Sequence, residues 1–206
     1  MSVSRRAWPA IVMAALLAAS CTRPPFGGDK ESALVLATVA RDVAKVQSLL
    51  DSGADPNRMV PYEGLNQSSW RMALNQLRPK SKQEDLAIIT AMLKAGADPA
   101  SAWGEGVSNG ITRQHPNEPL LIVMLHPDAA VVRALLDAGL KSRFGEAALV
   151  MAVEGGETEI AHLLVEAGVD VNGMHGAAET PLLAAIQVRD KEMMAYLEAH
   201  GARERP

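Results

Sequence analysis

Apolar residues recur along this chain at helical spacing, and the pattern is cut at intervals by a glycine. Val43, Val46, Leu49 and Leu50 lie three to four residues apart, as one face of a helix requires. That run closes in LLDSGADPN, Leu49 to Asn57. A near copy, MLKAGADP, starts at Met92, and weaker copies start at Leu135 (LLDAGLKS), Leu164 (LVEAGVDVN) and Leu197 (LEAHGAR). Self-similarity at this scale means one small structural unit repeated, so each residue is read by its place in the unit.

Two marks align the units. One is the glycine: Gly53, Gly96, Gly139, Gly168 and Gly201. The other is an apolar residue followed three positions later by a small one: Leu34 and Ala37, Trp70 and Ala73, Leu120 and Val123, Leu149 and Ala152, Leu182 and Ala185. From first mark to glycine is 19 residues in four units and 26 in the second. Between the marks the pattern predicts helix, tight turn, helix. In unit one the turn falls at Arg41-Asp42, and the second helix stops at Gly53, where a glycine can take the left-handed conformation of a helix C-terminus. Asp55-Pro56-Asn57 then supplies turn chemistry. In unit five, Thr180 suits an N-cap and Pro181 the first helical position.

Thr180-Pro181-Leu182, a small-residue helix, and a second helix ending in an L-x-x-G-A-D-x-N-like turn resemble the ankyrin repeat, over residues 31–206. The resemblance implies an all-α solenoid of about five helix-turn-helix repeats with short β-hairpin loops. The repeats fall at about 31–60, 66–100, 117–143, 146–174 and 179–206. Only unit five keeps TPL intact, and the family's His after it is Leu183 here. That His organises hydrogen bonds between repeats, so its loss costs regularity.

The family spacing from each glycine to the next first mark is about 14 residues. Here it is 17, 24, 10 and 14 in turn. Residues 99–117 therefore form a long inserted hairpin or loop, and the seven extra residues of unit two fall around Arg78 to Gln83, where Pro79 cannot continue a helix. Long insertions in compact solenoids carry function or are disordered.

The N-terminus is a separate object. Arg5 and Arg6 precede a twelve-residue apolar run, Trp8 to Ala19, too short to span a bilayer of about 30 Å. Ala18, Ala19, Ser20 and Cys21 close it, so residues 1–20 read as a signal peptide. The region resembles a bacterial lipobox with Cys21 as the lipidated residue. A plain signal-peptidase site with an ordinary cysteine is the alternative. Cys21 is the only cysteine, so no disulfide is available. Residues 21–30 form a Pro- and Gly-containing flexible tether. By resemblance to Gram-negative lipoproteins, Thr22 after the cysteine points to the outer membrane, periplasmic face.

Composition narrows the picture further. Hydrophobic residues make up 48% but aromatics only 3%, so the core must be built from small and aliphatic side chains, as stacked short helices allow. The net charge of −4 gives no reason to expect nucleic acid. Removing residues 1–20 takes two arginines and no acids, making it −6.

No catalytic motif emerges. His115, His126, His162, His175 and His200 form no HxxxH or HExxH pair, which leaves no metal site of workable spacing. Gly104, Gly106 and Gly110 lack the Lys-Ser/Thr and the strand–loop–helix context of a phosphate loop. The expectation is a non-enzyme without cofactor or metal, monomeric alone, meeting a protein partner.

The resemblance places that partner on the hairpin tips and first helices. Candidate contacts are Tyr62 in the first hairpin, Trp103, Arg113 and His115 in the insertion, Arg143 in the shortened third loop, and Met174 and His175 in the fourth. Trp103 could instead pack its own loop. Arg71, with Asn75 and Gln76 behind it, could face the groove or simply be solvated. Trp70 is expected in the core, Phe144 over the core where the loop is cut short, and Leu136 as a buried side chain. One version of the function is an immunity-type lipoprotein that covers a periplasmic toxin's active site. Others are an envelope stress-protection or assembly factor supporting a resident enzyme, and a ligand-binding or enzymatic role of the 99–117 insertion.

Overall fold

The computed structural model describes residues 30–77, 83–100, 107–108, 111–112, 119–141, 144–173 and 180–204. Among these, ten helices fall into five antiparallel pairs. The first helices are α1 (Lys30–Val39), α3 (Ser69–Asn75), α5 (Pro119–Leu125), α7 (Gly145–Glu154) and α9 (Pro181–Val188). Their partners are α2 (Val43–Asp51), α4 (Gln83–Lys94), α6 (Ala129–Asp137), α8 (Thr158–Glu166) and α10 (Lys191–Ala199). First helices pack on first helices along the stack. The second helices form a parallel row from α2 through α8. The result is a two-layered solenoid whose core lies between the layers.

Local chemistry sets the boundaries. Asp42, Ser68, Asp128, Thr180 and Asp190 each accept a backbone N–H in the first turn that follows, an N-terminal cap. Thr180 and Pro181 take the roles expected of them. At the other end all five marker glycines have φ between +85° and +92°. The residue after each donates back to the carbonyl five positions earlier: Ala54 to Leu49, Ala97 to Met92, Leu140 to Leu135, Val169 to Leu164 and Ala202 to Leu197. This is the Schellman closure, and it explains why the glycine recurs: other residues pay about 1–2 kcal/mol for that conformation.

The tight turn inside a unit uses the same left-handed geometry without needing glycine. Gly156 has φ +71° in unit four, but Arg41 (+56°) and Arg189 (+60°) hold it in units one and five. Arg41 is fixed from outside. Its Nε donates to Asp85 of α4 at 2.6 Å and its Nη2 to the Gln76 carbonyl at 2.7 Å. Gln76 caps the end of α3. Arg41 thus ties the two ends of unit two's lengthened connection to unit one.

The first marks are the core. Leu34, Trp70, Leu120 and Leu149 are fully buried and Leu182 nearly so. Ser69 Oγ and Trp70 N both donate to the Pro56 carbonyl at 3.1 Å, setting α3 against the turn of unit one. One expectation shifts by a residue: Leu135 is the fully buried leucine of unit three, and Leu136 is only half-buried beside the core. The stripe of α6 runs through Val131, Val132 and Leu135, which turns Leu136 to the flank of the helix.

Two hairpins join units. β1 (Val60–Tyr62) pairs with β2 (Leu65–Gln67), with Tyr62 opposite Leu65. Glu63 and Gly64 turn it with φ +48° and +79°, the pattern of a tight two-residue loop. Inside the 99–117 insertion, β3 (Val107–Ser108) pairs antiparallel with β4 (Ile111–Thr112).

Candidate partner-binding face

A first helix shows its buried marks to the second layer and its opposite side to solvent. Two positions beyond each first mark stand Leu36, Met72, Ile122 and Met151. All four are partly or largely exposed, Leu36 most at 40%. Because first helices stack on one another, these side chains hold equivalent positions along the inner row, Ile122 and Met151 also packing against the core. In unit five the same register is Ala184, fully buried, and exposure passes to Leu183 (40%) and Val188 (45%). Leu125, at the end of α5, is 68% exposed. Charge is scarce here: α5 and α9 carry none, and α3 carries Arg71 alone.

Two of the candidate contact residues fall within the described residues. Arg71 is half-buried on α3, its backbone N–H donating to Ser68 Oγ at 3.2 Å. It precedes Met72 in the helix, and its Nε is buried with no hydrogen-bond partner among the described residues. Tyr62 is half-buried at the mouth of the first hairpin. Burial, then the adjacent Glu63 carboxylate, raises its phenol above the ordinary 10.0. Met59 and Leu65 are exposed near it, at 42% and 54%. Asn75 is exposed beyond Arg71, whereas Gln76 is half-buried and spends its carbonyl on Arg41. Phe144 is half-buried as the N-cap residue of α7. Cys21, Trp103, Arg113, His115, Arg143, Met174 and His175 lie outside the described residues.

These positions were open to sequence reasoning and were missed. The ruler that located the first marks also locates Leu36, Met72, Ile122 and Met151, two positions on, as a recurrent apolar place. Weighting toward Trp, Tyr and Arg hid it.

Among the described residues no group of three His, Cys, Asp or Glu side chains is placed to hold a metal. None of the described helices is long and apolar enough to cross a membrane.

Comparison with known proteins agrees with this geometry. A family model of ankyrin repeats in three copies matches residues 120–204. The fold is an ankyrin-repeat solenoid. Its helix pairs extend back from the matched region to Lys30, through units one and two. The solenoid is also similar to YahD of Escherichia coli (strain K12), a protein provisionally described as an ankyrin repeat protein. The two are 28% identical over 180 residues, spanning 82% of this chain and 79% of YahD. Ankyrin repeats are in general protein-interaction modules.

Proposed function

We propose that the protein is a non-catalytic binding module held at a bacterial envelope membrane by a lipid on Cys21. On this reading the rigid solenoid presents its inner face to one protein partner. The observation that carries the proposal is the recurrence of apolar, partly exposed side chains at one first-helix position, Leu36, Met72, Ile122 and Met151, with little charge on helices α3 and α5. A surface of this kind gains by being covered. Anchoring would raise the local concentration of the module at the membrane. The finer reading is an immunity-type lipoprotein on the periplasmic face of the outer membrane, whose inner face covers a toxin. The mature charge of −6 and the irregular hairpins support that reading by suiting a basic, specific partner.

Fractionation tests the anchor. Cys21→Ser should leave the domain folded and release it from membranes; unchanged membrane association would refute the lipid. Deletion of the gene tests the role, since sensitivity to a neighbouring or co-encoded toxin should appear. A strain that stays resistant to all of them, with a resident enzyme captured stoichiometrically by residues 22–206, would move the assignment to the assembly role.

A further inference from the structure

The seam between units three and four is the shortest in the chain, 10 residues from Gly139 to Leu149 against 14 from Gly168 to Leu182. A cavity of about 360 Å³ lies there, floored by Leu120, Leu136, Leu140, Leu164 and Val169. A second of about 290 Å³ adjoins it between α6 and α8. Leu136 and Ala167 line both, so the two are lobes of one groove. One unit further on, Tyr196 stands where Leu163 stands here, and its ring bridges to His162 of α8 with centroids 4.0 Å apart. Between α6 and α8 no ring does this.

The rim is charged and uneven. Asp137, Glu146, Glu166 and Asp170 border the two lobes, with Lys141 and Arg133 as the described cations. Arg133 is already engaged, its Nη2 3.3 Å from Glu159 Oε1. The groove therefore joins an apolar floor to an acidic edge. About 150 Å³ is enough room for a benzene ring. Either lobe exceeds that, and both are open and lined by polar as well as apolar groups.

We propose that this groove is a second docking site, which takes an aromatic side chain from a partner segment whose flanking residues are Lys or Arg. The ring enters over Leu136 and Leu140, and the cations meet Asp137, Glu146, Glu166 and Asp170. The site's lining residues do not include Leu36, Met72, Ile122 or Met151. It stands whether or not the envelope reading is correct.

The test uses the full chain, isotope-labelled, with two capped hexapeptides as probes: a central Phe flanked by Lys, and the same Phe flanked by Glu. Free phenol serves as a neutral probe. The Lys-flanked peptide should shift the amide resonances of Leu140, Gly168 and Asp170 saturably, and the Glu-flanked peptide should not. Ala167 is exposed and lines both lobes, so Ala167→Trp should abolish the shifts without touching the core. Asp137→Lys with Glu166→Lys, both exposed, should weaken binding several-fold and keeps the test open if the Trp variant folds poorly. Three results would overturn the proposal: equal binding of the two peptides, binding of phenol alone, or retention of binding by both variants. Absence of saturable shifts at millimolar peptide would overturn it too.

Discussion

Asn57 of unit one holds the turn of unit two from both sides. Its Nδ2 donates to the Gly96 carbonyl at 2.9 Å, and its Oδ1 accepts from the Asp98 N–H at 2.8 Å. Asn172 does the same one seam from the end, to the Gly201 carbonyl at 3.0 Å and from the Arg203 N–H at 3.0 Å. Ala100 stands at the corresponding place in unit two and has no amide to offer. Among the described residues the seams stitched in this way are the first and the last. Each such bond contributes about 0.5–1.5 kcal/mol net, so Asn57→Ala should cost about 1–3 kcal/mol. Urea unfolding should show the loss as a lower midpoint at unchanged slope. The two asparagines lie in different seams and share no partner, so Asn57→Ala/Asn172→Ala should lose close to the sum of the single changes.

Arg41 and Asp85 set up the sharpest stability contrast. Asp85 is 6% exposed, and its second carboxylate oxygen has no hydrogen-bond partner. Arg41→Ala leaves this buried charge unpaired, for which about 3–5 kcal/mol is typical; the 19% exposure of the Arg41 side chain places the expectation near 3 kcal/mol. Arg41→Met/Asp85→Leu removes both charges and should recover most of the loss. A double variant as unstable as Arg41→Ala would mean that the Gln76 carbonyl, rather than Asp85, is the contact that matters.

Two tyrosines predict the alkaline limb of stability. Burial first, and then Glu166, raises the Tyr196 phenol above 10.0; burial and Glu63 do the same to Tyr62. A raised phenol keeps its proton in the folded state after the unfolded chain has lost it. Unfolding is then favoured as pH rises past about 10, and nothing is lost below that. Tyr196→Phe and Tyr62→Phe should each flatten the fall in melting temperature above pH ~10. Tyr196→Phe should also leave stability at neutral pH unchanged or slightly higher, because the Tyr196 hydroxyl is buried without a hydrogen-bond partner. A marked loss at neutral pH would contradict that.

The helical unit was legible in the sequence because glycine geometry and apolar spacing leave few alternatives. Gly53 and its four counterparts all adopt the left-handed turn expected of them, and Trp70 is in the core. The phase of α6 was less legible: two adjacent leucines, Leu135 and Leu136, both fit a helical stripe. Only packing against its neighbours decides that Leu135 is buried. Leu135→Ala should therefore cost about 2–5 kcal/mol, and Leu136→Ala clearly less. The reverse order in thermal unfolding would contradict the placement of α6. The candidate site was less legible still. The Arg41 clamp depends on a residue 44 positions away, and no local pattern announces it. The recurrence of Leu36, Met72, Ile122 and Met151 at a fixed offset from the first marks is legible in the sequence, but their partial exposure is not, because Leu, Met and Ile read as core until the stack shows which side faces outward.

Affinity capture from envelope extracts of the producing cells tests the central claim most directly. The wild-type domain would be compared with Leu36→Glu/Met72→Glu, Leu36 being 40% exposed and Met72 half-buried on the first helices. The account predicts one protein enriched in near-equal amount with the wild type and lost with the double variant, whose melting temperature stays close to wild type. A partner held equally well by both would contradict the inner face as the binding surface.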